Sequence, residues 1–163
     1  MSEKIDIALL TGGFALAGVT LSQVLAWFHA YLERRHQRAI LLRTKYEEMT
    51  LLFLDSLRWS TDLTSCMSPE GILAISQSTN ANKVHMLCNI YFPLLRETSG
   101  EYLDACTAFY QTVVRSYNPL SAVPLGQQVG SLPSYKEARD ALLVARDAVK
   151  DQIAIHAKTY SSA

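Results

Sequence analysis

Residues 7–32 read IALLTGGFALAGVTLSQVLAWFHAYL, a run of 26 residues without a formal charge. A spanning helix needs about 20 mostly apolar residues, and this run would reach roughly 39 Å across a ~30 Å hydrocarbon core. The ten Leu, Ile, Val and Phe side chains between Ile7 and Phe28 favour insertion by about 3 to 6 kcal/mol. Aromatic residues cluster at its C-terminal end, where their rings favour the headgroup level. We therefore predict a transmembrane helix over 7–32, preceded by a short extracytoplasmic tail, 1–6.

Two other interpretations of this run are weaker. A cleavable signal peptide has a basic start, whereas this chain begins with the net acidic residues Ser2-Glu-Lys-Ile-Asp6. A buried hairpin helix of a soluble protein is the second alternative, because three glycines would weaken the helix in water.

The flanking charges predict the orientation of the helix. Five basic residues follow the run within about 15 positions, against one lysine before it. Basic flanks stay in the cytoplasm, so we expect an N-terminus outside, residues 33–163 inside, and a single-pass protein of a bacterial inner membrane. The arginines that determine this topology could also contact anionic lipid head groups; they are Arg34, Arg35, Arg38 and Arg43.

One face of the predicted span carries small and polar residues at spacings of three, four and seven. Small residues let helix backbones approach closely in lipid, and serine or threonine can hydrogen-bond across the contact. We expect this face to mediate self-association or docking to another membrane helix, through Ala8, Thr11, Ala15, Gly18, Ser22 and Ala26.

Composition excludes several classes of protein. The 163 residues hold 15 Lys+Arg and 15 Asp+Glu, so no duplex nucleic acid is expected as a partner. Almost half of the residues are apolar, which excludes an intrinsically disordered chain. Three widely spaced cysteines form no even disulfide framework and fit a reducing compartment.

Beyond the basic flank, the pattern predicts an all-α domain. Apolar residues recur at helical spacing from Leu42 to Met67, and Leu51, Leu52 and Leu54 are expected to widen that stripe. A second unit runs from about Asn82 to Tyr117, with a kink or restart at Pro93. The transmembrane helix is therefore expected to continue into a small cytosolic antiparallel helical bundle.

Caps and loops divide this predicted bundle. Ser68 is expected to cap a short helix, and residues 77–82 read as a loop. Residues 116–135 carry no charge and form a long loop, either functional or a plain crossover. A capping box at Ser134–Glu137 starts the last helix, whose mixed charges, Arg139 and Arg146 among them, read as a solvated face.

The sequence contains no motif of a known catalytic site. It has no phosphate-cradling glycine loop outside the predicted span, no nucleophile elbow, no His-Glu-x-x-His and no Cys-x-x-Cys. His85 and Cys88 supply too few ligands for zinc, and Glu97, Glu101 and Asp104 read as a solvated acidic face. We expect no enzyme activity, no cofactor, and no catalytic or metal-binding residue.

The layout from Leu9 to Leu57 resembles a broad group of uncharacterised bacterial single-pass membrane proteins. The likeness rests on residues 33–38, Glu-Arg-Arg-His-Gln-Arg, and on the helical stretch from Tyr46 to Phe53. It implies no activity. In outline the chain is also similar to membrane effectors of bacterial antiphage and toxin systems, in which a cytosolic domain senses and a span disturbs the membrane.

Two functions follow as hypotheses. The first is a membrane-anchored interaction or scaffold protein, either a homo-oligomer or a subunit of a membrane complex. Its partners would be membrane lipids together with a cytosolic protein or small-molecule signal. The alternative is a membrane-disrupting effector that is triggered through its cytosolic domain.

Overall fold

The structure is a computed structural model. It describes the backbone of residues 2–75, 78–118, 120–121 and 123–161, and side chains in those ranges except at residues 2–17, 69, 73 and 161. Six α-helices are described: α1 (Ser2–Ser65), α2 (Pro69–Ile75), α3 (Thr79–Tyr91), α4 (Arg96–Arg115), α5 (Leu125–Val129) and α6 (Pro133–Ser161). A 3-10 turn, Pro93–Leu95, joins α3 to α4. Every regular element in these ranges is helical, which confirms the all-α prediction.

The described chain falls into two compact units, one ending at Leu41 and the other starting at Leu42. In the first unit every described side chain from Gly18 to Leu41 is exposed, apart from a half-buried Ala39. The second unit is a helical bundle built from the C-terminal part of α1 with α3, α4 and α6.

Aromatic contacts fix the directions of the bundle helices. Tyr46 of α1 packs edge-on against Phe92, just after α3, with ring centroids 5.3 Å apart. Tyr160, near the end of α6, contacts both of these rings. Further along α1, Trp59 packs against Phe109 of α4 at 6.2 Å. Therefore α1 and α4 run one way, and α3 and α6 return.

The core follows the helical period of the sequence. Along α1 the residues Tyr46, Met49, Phe53 and Leu63 are buried. They belong to one core cluster with Val84 of α3, Tyr102 and Val113 of α4, Leu142 and Val149 of α6, and Leu95. Leu95 lies in the turn between α3 and α4. The restart predicted at Pro93 is confirmed, because Phe92 has a non-helical conformation and ends α3.

Three local predictions are wrong. Leu51 and Leu54 are 63% and 52% exposed, because four consecutive apolar residues on a helix cannot all face one side. Met67 is also exposed, since α1 has already ended at Ser65. The loop predicted over 77–82 is mostly helix: Ser78 caps α3 and its hydroxyl accepts the Ala81 N–H at 3.3 Å.

The predicted cap of α2 is confirmed, and the uncharged segment after α4 is partly ordered. The Ser68 hydroxyl accepts the Gly71 N–H at 3.1 Å. Within residues 116–135 the helix α5 buries Leu125 and Val129. The Leu125 N–H donates to the Cys66 carbonyl at 2.9 Å, which ties α5 to the end of α1. This part of the segment is therefore a connection between helices that packs against the bundle. The last helix, α6, begins at Pro133, one residue before the predicted capping box.

Candidate functional site

The most unusual surface of the chain is the apolar part of α1 from Val19 to Leu32. Its large apolar side chains are between 42% and 72% exposed, and Trp27 is the most exposed of them. They include neighbours in sequence such as Val24 and Leu25, so they project from different sides of the helix. A helix that is apolar all round is stable only where something other than water covers it.

Among the residues that the structure describes, no helix has an apolar stretch of the length that would cross a membrane. The side chains of residues 7–17, the first part of the predicted span, lie outside the described set.

The predicted association face is described only in its second half. Ala8, Thr11 and Ala15 lie outside the residues whose side chains are described. Gly18 is in open space, since a Cβ added there would meet no heavy atom within 4 Å. Ser22 is exposed, and its hydroxyl donates to the Val19 carbonyl of its own helix at 2.8 Å. Ala26 is exposed as well.

The basic flank lies on α1 directly after the apolar part. Arg34, Arg35 and Arg38 are exposed, and no ion pair is recorded for them in the described ranges. Arg43 differs, because its guanidinium pairs with Glu47 one turn later, with 3.1 Å between nitrogen and oxygen. Three free guanidinium groups beside an apolar helix are suited to phosphate-containing head groups.

The bundle core contains polar groups that are satisfied internally. The buried Ser56 hydroxyl donates to the Phe53 carbonyl at 2.6 Å and lies 2.9 Å from the Tyr102 hydroxyl. Because the serine proton is used, the tyrosine must donate to it, and burial raises the pKa of Tyr102. At the other end of the bundle, Tyr46 donates to the Ile153 carbonyl, and burial raises its pKa to about 12.

The three cysteines are unpaired, as the sequence indicated. Cys88 and Cys106 are buried, and burial raises the pKa of both thiols, that of Cys106 to about 11. Such thiols stay protonated at neutral pH, so they are poor nucleophiles and poor metal ligands. They serve as core packing.

The polar residues that the sequence singled out form no metal site in the described chain. His85 is held between two partners: Nδ1 lies 3.1 Å from the Ser99 hydroxyl and Nε2 lies 2.8 Å from the Asn89 amide nitrogen. Ser99 is fully buried, whereas His85 is half-buried and Asn89 is exposed. The acidic residues 97, 101 and 104 are all exposed.

Sequence reasoning missed a groove between α1 and α6. Arg139 and Arg146, which read as part of a solvated face, both line it. Their spacing of seven residues puts them on one side of α6, but only the packed bundle brings hydroxyl groups of α1 opposite them.

Comparison with protein-family models, with curated proteins and with solved structures finds no match to this chain.

Proposed function

We propose that this protein is a membrane-anchored interaction protein, with a single N-terminal span and a cytosolic bundle that receives a partner or a signal. The observation that carries the proposal is the exposed apolar surface from Val19 to Leu32. It continues the uncharged run that starts at Ile7 and is followed at once by the basic flank. Lipid would cover the apolar surface, and the arginines would hold the bundle on the cytosolic side of a bacterial inner membrane.

The first experiment tests anchoring and orientation together. Membranes from bacteria that express the Ser2→Cys variant are washed with alkaline carbonate, and spheroplasts are labelled with an impermeant maleimide. We expect the protein in the carbonate pellet and labelling at position 2, because the tail would lie outside. The native Cys66 in the bundle serves as the internal control: its thiol is only half-buried and should label after lysis but not in intact spheroplasts, because it would lie inside.

Release of the protein by carbonate would contradict the anchor. Labelling of Cys66 in intact spheroplasts, with position 2 protected, would reverse the orientation that the charges predict.

We further propose that the small face of the span joins two copies of the chain. Gly18 has open space around it, so a leucine there fits the isolated helix without a clash. Gly18→Leu and Ser22→Leu keep or raise the hydrophobicity, while they hold two backbones apart by the width of a side chain. In model peptides an interhelical hydrogen bond of a polar side chain contributes about 1–2 kcal/mol, so we expect association to fall about tenfold in Ser22→Leu and to fall in Gly18→Leu through lost backbone contact.

The measurement is crosslinked dimer in native membranes, with a membrane-dimerisation reporter as the second readout. Leu21→Ile is the matched control, because it changes little volume on the same helix and should associate like the parent. Equal association by the two leucine variants would place the contact elsewhere on the chain.

A further inference from the structure

A groove lies between α1 and α6, with α4 at its floor. Its volume is about 320 Å³, at the lower end of the range for small-molecule sites. The residues that matter here are Ser60 and Thr64 of α1, Phe109 of α4, and Tyr135, Arg139 and Arg146 of α6. All belong to the bundle.

The groove is rich in arginine in a chain that has no net charge. Two arginines line it, and no carboxylate does. No ion pair is recorded for Arg139 among the described residues. Arg146 donates from Nε and Nη2 to one oxygen of the exposed Asp147, at 2.9 and 2.8 Å, and these bonds leave Nη1 unused. Both guanidinium groups therefore have donors to offer an anion.

Hydroxyl groups face the arginines. The Ser60 hydroxyl makes only a long bond of 3.5 Å to the Leu57 carbonyl, so its proton can turn toward an incoming oxygen at little cost. Next to the groove a cleft of about 40 Å³ leads inward, and Ser56, Ser60, Tyr102 and Arg146 line it. The Ser56 and Tyr102 protons are used internally, so Ser60 of α1 and Arg146 of α6 are the groups that would donate to a tetrahedral oxyanion, one from each side.

Aromatic rings form another part of the wall. Tyr135 and Phe109 contact each other with ring centroids 5.7 Å apart, and both line the groove. A planar group can stack on such rings or between a ring and a guanidinium. The volume fits a phosphate joined to one sugar and one base rather than a larger ligand.

We propose that this groove binds a soluble phosphate ester with a planar ring, of the mononucleotide class, through Arg139, Arg146 and the Ser60 hydroxyl. A signalling role for this groove rests on the proposed function. The groove would then define the chemical class of the signal that the bundle receives. The arginines and the Ser60 hydroxyl would hold the phosphate, and the ring would lie against Tyr135.

The test is calorimetric titration of AMP into the full chain in a neutral detergent. We expect saturable binding, at least about tenfold tighter than that of adenosine, which lacks the phosphate. Inorganic phosphate should compete with AMP. Arg139→Gln and Arg146→Gln should each weaken AMP binding by at least about tenfold, since each removes a charge-assisted bond. Arg96→Gln, an exposed arginine at the start of α4, should bind within about twofold of the parent.

Unchanged affinity in both groove variants, or no saturable binding of AMP or phosphate, would overturn the assignment. Displacement of AMP by phosphatidylglycerol vesicles would overturn it differently, by assigning the groove to a lipid head group. A chain that fails to associate with membranes yet binds AMP through these arginines would refute the anchor and keep this site. A chain that is anchored but does not bind AMP would refute this site and keep the anchor.

Discussion

Truncation of Phe92 to alanine is expected to cost the bundle about 4 kcal/mol of unfolding free energy. Phe92 is fully buried, and its ring contacts Tyr46 at 5.3 Å and Tyr160 at 4.9 Å, both edge-on. Loss of a buried phenylalanine costs about 3–5 kcal/mol through lost transfer energy and the cavity left behind. Domains of this size are stable by only about 5–15 kcal/mol, so the variant would be marginal at best.

The loss of unfolding free energy should be large at Phe92 because three segments of the chain meet at its ring. Phe92 follows α3, Tyr46 lies early in the bundle part of α1, and Tyr160 lies near the end of α6. Without the central ring, the two tyrosines lose their shared partner. The hydrogen bond from Tyr46 to the Ile153 carbonyl, which links α1 to α6, loses the packing that shields it from water.

Urea denaturation of the full chain in detergent measures this loss. Trp59 is the reporter, in a Trp27→Phe background, because it packs against Phe109 and Tyr110 in the bundle. The matched control is Leu94→Ala, two residues away and 59% exposed, for which we expect less than about 0.5 kcal/mol. If both variants unfold at the same urea concentration, the Phe92 cluster is not part of the stable core.

The sequence predicts where the long helices lie but not which residues of each helix are buried. Helical spacing identified Tyr46, Met49 and Phe53 as core because burial on one side of a helix repeats every three or four residues. The same reasoning failed at Leu51 and Leu54, since a run of four apolar residues does not say which of them points inward. Only contacts with α3, α4 and α6 decide that.

The start of α3 was missed for a different reason. Serine, threonine and asparagine compete locally with helix hydrogen bonds, so Gln77 to Asn82 read as a loop. Here one of them, Ser78, caps the helix instead, and burial of Ala81 and Val84 stabilises its first turns. Capping and tertiary burial override propensity at such positions.

The groove could not be predicted because its residues come from three helices that are distant in sequence. In the sequence Arg139 and Arg146 look like ordinary charged positions among acidic neighbours. Their neighbours in the bundle, Ser60 and Thr64, are about 80 positions away along the chain. By contrast, the residues of the apolar run of α1 are consecutive in the sequence, so the run could be recognised without the structure.

Two arginine substitutions in the apolar run of α1 should remove the chain from the membrane. Leu21 and Val24 lie near the middle of the predicted span, and both are more than 60% exposed. An arginine near the centre of a span costs about 2.5–3.5 kcal/mol, where leucine or valine contributes about −0.3 to −0.6. The Leu21→Arg, Val24→Arg double variant thus disfavours insertion by about 6–8 kcal/mol, which exceeds the about 3–6 kcal/mol that favours it.

Membrane flotation on a density gradient measures this loss, since lipid-bound protein rises and aggregated protein sinks. We expect the parent in the floating fraction and the double variant outside it. Leu51→Arg with Leu54→Arg is the matched control: it has the same spacing and similar exposure, but lies on the outer surface of the bundle. That control should float like the parent, because its arginines face water. If the Leu21 and Val24 variant floats as well, insertion of this run does not hold the chain in the membrane, and the proposed anchor is wrong.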